Sequence, residues 1–243
     1  MVFQLTTNIG EQMKKEKQYP KDNREGVPTL VYQWGPTLAR MEIDEALKMI
    51  LIDEYENNKK NKQLDYRKNL AGQLQHETGY TSDSKKKVLP YLDKYFKIYE
   101  EARKRYFNRP DDKPRDYILT SLWINHQKQH EFNPPHDHDG TLSFVIYLKV
   151  PEMLRIENEA SKDKSCGPGG IQFIYGEGGG RDSINFVSHF PKEGEIFIFP
   201  AWLKHWVCPF KSDCTRISVS GNVYDVTATK ALVSNKNYHE VKR

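Results

Sequence analysis

Residues 195–224 read EIFIFPAWLKHWVCPFKSDCTRISVSGNVY, and residues 141–150 read TLSFVIYLKV. In both, β-branched and aromatic residues recur at alternate positions, and turn formers (Pro200-Ala201, Gly140) interrupt or precede them. Alternation at period two sends successive side chains to opposite faces of a strand. Working outward, 117–127 (YILTSLWINHQ) and 171–175 (IQFIY) follow the same rule. Strands are therefore predicted over 117–127, 141–150, 171–175, 195–199 and 215–224. No helical period separates them, which points to an antiparallel sandwich or barrel of jelly-roll type. Two connections stand out as candidate lids or substrate contacts: 151–170, long and charged, and the GEGGG run at 176–180.

Ahead of residue 117 the period changes. Apolar residues at Met41, Ile43, Ala46, Leu47, Ile50, Leu51 and Tyr55 repeat near 3.6, predicting a helix over 41–57. A second stripe, Val88, Leu92, Tyr95, Tyr99, Ala102 and Tyr106, predicts a helix over 84–107 with Pro90 in its first turns and Asn108-Arg109-Pro110 at its end. Residues 58–75 are polar and read as loop, and 1–28 as an extended arm. The chain divides into a helical region over 1–116 that packs on the core, a β core over 117–226 and a polar tail over 227–243.

The 243 residues are 37% hydrophobic and 12% aromatic, with a mean hydropathy of -0.79, so a core rich in Tyr, Phe and Trp is expected. The apolar runs fall well short of a bilayer-spanning helix, so no membrane partner is expected. The 37 basic residues are interleaved with 33 acidic ones for a net charge of +4, which gives no basic block and makes nucleic acid an unexpected partner. The first residues lack a signal-like apolar stretch, and the three cysteines include no CxxC. Free thiols in a reducing, cytoplasmic compartment are the expectation. The oligomeric state is left open.

Four of the eight histidines lie between His126 and His138. His136 and His138, two apart, share a face if that segment is a strand, and paired imidazoles suit Fe, Zn, Ni or Cu. His205 follows the turn at Pro200-Ala201. Arg216 and Ser218 come next, sharing a strand face, and offer a guanidinium fork and a hydroxyl suited to a carboxylate.

NPPHDHDGTLSFVIYL (133–148) with FPKEGEIFIFPAWLKHWVCPFKSDCTRISVSGN (190–222) resembles the iron(II)- and 2-oxoglutarate-dependent oxygenase superfamily. More narrowly it is similar to the prolyl-hydroxylase-like branch found in phage and marine microbial sequences. The resemblance covers about 117–224. It implies a mainly β fold, a double-stranded β-helix (cupin-like jelly roll) packed by N-terminal helices. It also implies a dioxygenase that hydroxylates a small-molecule or peptide substrate, using dioxygen and converting 2-oxoglutarate to succinate. A phage-encoded member would act in the host cytoplasm. Carried over by position, the resemblance makes His136 and His205 the expected iron ligands, Arg216, Ser218 and Tyr147 the expected partners of the far carboxylate of 2-oxoglutarate, and Asn125 and Trp123 expected pocket-lining residues.

One position departs from the family pattern. His138 stands where the family carries a carboxylate, with Asp137 and Asp139 out of phase. A three-histidine site of His136, His138 and His205 needs no irregular backbone and is the preferred reading. A bulge that brings Asp139 or Asp137 to the metal, or an open position as in halogenating relatives, are the alternatives. Two other functions remain: a cupin-type metalloprotein that uses no 2-oxoglutarate, and a non-catalytic β-sandwich interaction module.

Overall fold

In the computed structural model, which describes residues 35–162, 166–177 and 184–227, the alternation becomes two antiparallel sheets. The strands are β1 (Ala39–Glu42), β2 (Glu77–Gly79), β3 (Tyr117–Gln127), β4 (Asn133–His136), β5 (Leu142–Lys149), β6 (Ile171–Ile174), β7 (Phe186–His189), β8 (Glu195–Pro200), β9 (Lys204–Val207) and β10 (Arg216–Asp225). The larger sheet runs β1-β8-β5-β10-β3-β2, the smaller β4-β9-β6-β7. Val145, Tyr147, Phe197 and Phe199 of the first pack on Ile171, Phe173 and Val207 of the second, forming the jelly-roll sandwich that the motifs imply.

The other face of the six-stranded sheet carries the main core. Phe144, Ile146, Ile196, Ile198, Val219 and Val223 meet Leu47 and Leu51 of α1 (Glu45–Asn58) and Val88, Leu92 and Phe96 of α2 (Ser82–Tyr106). Gly221 is required here by space: a Cβ on it would lie 2.6 Å from the Phe144 ring and 2.7 Å from the Ser121 carbonyl.

Several expectations change. The stretch 41–57 is not one helix. Met41 lies on β1, paired with Ile196, and the helix starts only after Asp44, whose carboxylate accepts the Leu47 N–H at 3.0 Å. The region ahead of residue 117 thus contributes two strands to the large sheet as well as two helices. Pro90 stands well inside α2 with its ring exposed, not in the first turns. The 151–170 connection holds a helix, α3 (Glu152–Ala160), and 58–75 holds two 3-10 turns. The strands β1, β2, β4, β7 and β9 were not predicted; each is three or four residues long, and of the strands that short only β6, with Ile171 and Phe173 flanking Gln172, displays the alternation. The 1–28 arm, nearly all of the 227–243 tail and most of GEGGG lie outside the described residues.

The cysteine expectation is also corrected. Cys166 and Cys208 form a disulfide across 42 residues, with Cα atoms 6.6 Å apart, and only Cys214 is free among the described residues. The pairing of β6 with β9 and the Cys208 N–H donating to the Gly170 carbonyl bring the two together, a proximity that sequence spacing does not reveal. Among the described residues, no helix is long and apolar enough to cross a membrane.

Candidate active site

Between the two sheets lies a narrow cavity of about 40 Å³. One wall is the inner face of the large sheet, where pairing lays residues out in transverse rows. Glu77, Asn125, Ser218 and Tyr147 are register partners across β2, β3, β10 and β5, and Gly79, Trp123, Ser220 and Val145 form the next row. The facing sheet brings His136 on β4 opposite His205 on β9.

His136, His138 and His205 converge as the sequence predicts. Their ligand atoms lie within 4.8 Å of one another, and no other group of three or more His, Cys, Asp or Glu among the described residues does so. His138 arrives by a different route from the one predicted. The strand ends at His136, and His138 is held one step beyond it by its N–H donating to the Ala201 carbonyl at 2.9 Å. The turn at Pro200-Ala201 therefore positions both His138 and His205. Asp137 and Asp139, the carboxylates a bulge would have delivered, are exposed.

The imidazoles are prepared for a metal. Nδ1–H of His136 donates to the Pro134 carbonyl at 2.6 Å, and that of His205 to the Leu203 carbonyl at 2.9 Å, which leaves each Nε2 with a free lone pair. Burial, then the neighbouring His136, holds the His138 pKa down to about 4. Burial, then His136 and His138, takes His205 down to about 3. Burial also lowers His136. All three are neutral at pH 7, the form that ligates. Three neutral nitrogens with no carboxylate fit Fe(II) and its first-row neighbours.

Arg216, Ser218 and Tyr147, the residues expected to bind the cosubstrate, meet in the same cavity. Arg216 and Ser218 are buried on β10, and Tyr147 is fully buried beside them, with the guanidinium 5.3 Å from its ring centroid. Arg216 Nη1 donates to the Gly169 carbonyl at 2.6 Å, while Arg216 Nε and Tyr147 Oη are buried without a hydrogen-bond partner. Burial pushes the Tyr147 phenol up to about 12, so it stays a donor. Orphaned donors around a buried cation are costly unless an acceptor arrives, and a carboxylate satisfies them together. The donor set thus fits the far carboxylate of 2-oxoglutarate.

Asn125 and Trp123 line the same cavity, as predicted. The Asn125 amide donates to Ser218 Oγ (3.4 Å) and Ser220 Oγ (3.3 Å), and the Trp123 ring meets His138 edge-on at 5.6 Å. Sequence reasoning missed Ser220, Asn133 and Glu77. The alternation Arg216, Ser218, Ser220 would have found the first. Glu77 lies on a three-residue strand between polar segments and left no periodic signal.

Residues 121–222 match the family model described as "Putative 2OG-Fe(II) oxygenase". Among solved structures, the chain is similar to a viral collagen prolyl hydroxylase from Paramecium Bursaria Chlorella virus-1 in complex with 2OG. The identity is 15%, with 76% of this chain and 94% of that one covered, at a TM-score of 0.46. A Pseudomonas putida prolyl-4-hydroxylase aligns at 14% identity over 77% and 92% of the two chains, TM-score 0.45. A Trichoplax adhaerens prolyl hydroxylase in complex with a hypoxia inducible factor peptide fragment aligns at 10% over 82% and 87%, TM-score 0.46. No curated protein matches.

Proposed function

Because residues 121–222 match the oxygenase model, we propose that the chain is a member of the iron(II)- and 2-oxoglutarate-dependent oxygenase superfamily in which His136, His138 and His205 hold the iron while Arg216, Ser218 and Tyr147 hold the cosubstrate tail. The chain is a dioxygenase that couples oxidative decarboxylation of 2-oxoglutarate to oxidation of a second substrate, with hydroxylation the proposed outcome. Bound iron supplies the activation of dioxygen. The protein's own contribution is positioning and exclusion of water. Arg216 neutralises and orients the far carboxylate, the Tyr147 hydroxyl donates to it, and Ser218 and Asn125 complete the polar wall. Trp123, Phe173 and Phe199 keep the imidazoles dry. The single observation that carries the assignment is the pair of buried, partnerless donors, Arg216 Nε and Tyr147 Oη, in the same cavity as three converging histidines. A cupin-type site that uses no oxoacid gives them nothing to bind.

The second substrate is proposed to be a small molecule or a peptide. The cytoplasm is the proposed location on the sequence features. The Cys166–Cys208 bond is the observation on the other side, because disulfides persist in oxidising compartments. Alkylation of freshly lysed cells followed by mass spectrometry of the two cysteines decides between them.

The test of the cosubstrate site is titration of 2-oxoglutarate into metal-loaded, anaerobic protein, with aerobic succinate release as the companion assay. Arg216→Leu should raise the dissociation constant roughly 10²-fold or more, because charge-assisted bonds contribute about 1.5–3 kcal/mol each. An unchanged affinity in that variant removes Arg216 from the site.

A further inference from the structure

The cavity has a second polar end that the cosubstrate does not use. Glu77 is 3% exposed, and both of its carboxylate oxygens are buried without a hydrogen-bond partner. It stands in the row that continues through Asn125 to Ser218 and Tyr147, on an edge strand two places from β10 and three from β5. At ~4.8 Å per strand, Glu77 lies roughly 10 Å from Ser218 and roughly 14 Å from Tyr147. Asn125 Oδ1 and Asn133 Oδ1, which line the same cavity, also lack a donor. Asn133 belongs to β4, the strand that ends in His136, so this end borders the metal strand. Gly72 closes it: the point where a Cβ would stand is 2.2 Å from Asn133 Oδ1 and 3.2 Å from Glu77 Oε1, so both oxygens converge there and only glycine leaves room for them.

These groups are all acceptors. The cation whose charge acts on Glu77, Arg67, is exposed and committed to Asp65, with Nε 2.8 Å from Asp65 Oδ1. Burial first, then the like charge of Glu131, pushes the Glu77 pKa up to about 7. Glu131 itself is satisfied, accepting the backbone N–H groups of Gln75 (3.0 Å) and Lys128 (2.8 Å). A buried carboxylate that no residue serves is unfavourable in the free protein and becomes favourable when a donor-rich cation enters.

Resting on the oxygenase reading of this site, we propose that Glu77 is its specificity-determining residue and that the second substrate presents a protonated nitrogen, an ammonium or guanidinium group, to Glu77, Asn125 and Asn133. The cavity is then bipolar: donors at Arg216 and Tyr147 for the anionic cosubstrate, acceptors at Glu77 for the cationic substrate, with the histidines on the facing sheet. A basic amino acid, free or within a peptide, has this chemistry.

Isothermal titration of metal- and 2-oxoglutarate-loaded anaerobic protein tests the proposal. The probes are L-lysine and L-arginine, their neutral counterparts L-norleucine and L-citrulline, and short peptides with capped ends that carry one Lys, Arg or norleucine. At least one cationic probe should bind 10-fold or more tightly than its neutral counterpart, by about the strength of one charge-assisted bond. The arm in which this occurs separates a free amino acid from a peptide. Glu77→Gln should erase the discrimination, and Glu77→Asp should keep part of it. Glu77→Gln should also melt no lower than the wild type, since an amide replaces an unpaired buried carboxylate, whereas a carboxylate needed for folding would give a lower melting temperature. If the loaded protein binds cationic and neutral probes alike, or binds none of them, the inference is overturned and the dioxygenase assignment stands. If the protein fails to bind 2-oxoglutarate, the assignment itself falls.

Discussion

On the helix-covered face of the six-stranded sheet, Phe144, Ile146, Val219 and Val223 are buried among leucines and aromatic rings. One residue along the same strands, Tyr147, Arg216 and Ser218 are just as buried, yet they face a cavity in which donors and acceptors lack partners. Strands, register and burial are shared; only the facing layer differs. Because the side-chain period is two, a slip of one residue would exchange the faces, so the apolar alternation that builds the core also aims the site. Each unpartnered buried polar group costs about 1–3 kcal/mol. The helix face supplies the stability against which the cavity face keeps its polar groups unpaired.

The largest effect is expected where the contrast is sharpest. His205→Ala removes the most buried of the three imidazoles, and metal affinity should fall by more than roughly 100-fold, since even partners behind a ligand cost 10- to 100-fold when lost. Equilibrium dialysis with Fe(II) or Mn(II) measures it. Metal held at wild-type affinity would mean that the cluster is packing alone and that the two faces serve the same purpose.

The opposite face should respond the other way. Phe96→Ala deletes a helix ring that packs edge-on against Phe144 at 5.8 Å, and should destabilise the fold by about 3–5 kcal/mol in denaturant unfolding. Metal stoichiometry in the fraction that remains folded should be unchanged. A variant that loses metal without losing stability would show that the faces are not separable.

How much of this contrast the sequence displays depends on segment length. The long strands β3, β5, β8 and β10 alternate visibly, and with them come Asn125, Tyr147, Arg216 and Ser218. Of the strands of three or four residues only β6 shows the alternation, at Ile171 and Phe173; β1, β2, β4, β7 and β9 hold no legible period. Ile43 and Met41 fell in phase with the helix behind them, so the strand there was read as helix. Residues 151–170 looked like a loop because α3 is bracketed by Pro151 and the glycines at 167–170, and its charges, such as Arg155 with Glu152 and Glu159, pair along its own exposed side. His136, His138 and His205 were legible from type and spacing, although a turn and not a strand delivers His138. Glu77 and the Cys166–Cys208 bond depend on long-range pairing and were invisible.

A smaller effect follows from acid. In the folded, metal-free protein the His138 pKa is held down to about 4 and that of His205 to about 3, against 6.5 for the exposed side chain. Between those values the unfolded chain binds protons that the folded chain does not, so the contribution of these histidines to stability falls as pH drops below about 6.5 and stops falling near pH 3–4. Glu77, raised to about 7, works in the opposite sense over part of this range. The measurement is therefore a difference: the denaturation midpoint of metal-free wild type, minus that of His138→Gln, at pH 7.5 and at pH 5. Wild type should lose more on acidification. Equal losses would mean that the His138 imidazole is as well solvated in the fold as out of it.

The smallest effect is the one that decides the middle ligand. Asp137 and Asp139 flank His138 and are exposed, and neither belongs to the cluster whose ligand atoms lie within 4.8 Å. A bulge at Asp139-Gly140 was the alternative, since glycine tolerates irregular backbone, and Gly140 does adopt φ +124. That irregularity falls after His138, where the Thr141 N–H turns to donate to the Val223 carbonyl at 2.8 Å. It starts β5 and leaves Asp139 pointing to solvent. Asp139→Ala and Asp137→Ala should therefore leave bound iron unchanged within error, whereas His138→Ala should lose most of it and His138→Asp should recover part by restoring a carboxylate in place. Should Asp139→Ala strip the metal while His138→Ala retains it, the loop rearranges around the ion, the site is a two-histidine, one-carboxylate centre, and the cavity face is less preformed than the helix face opposite it.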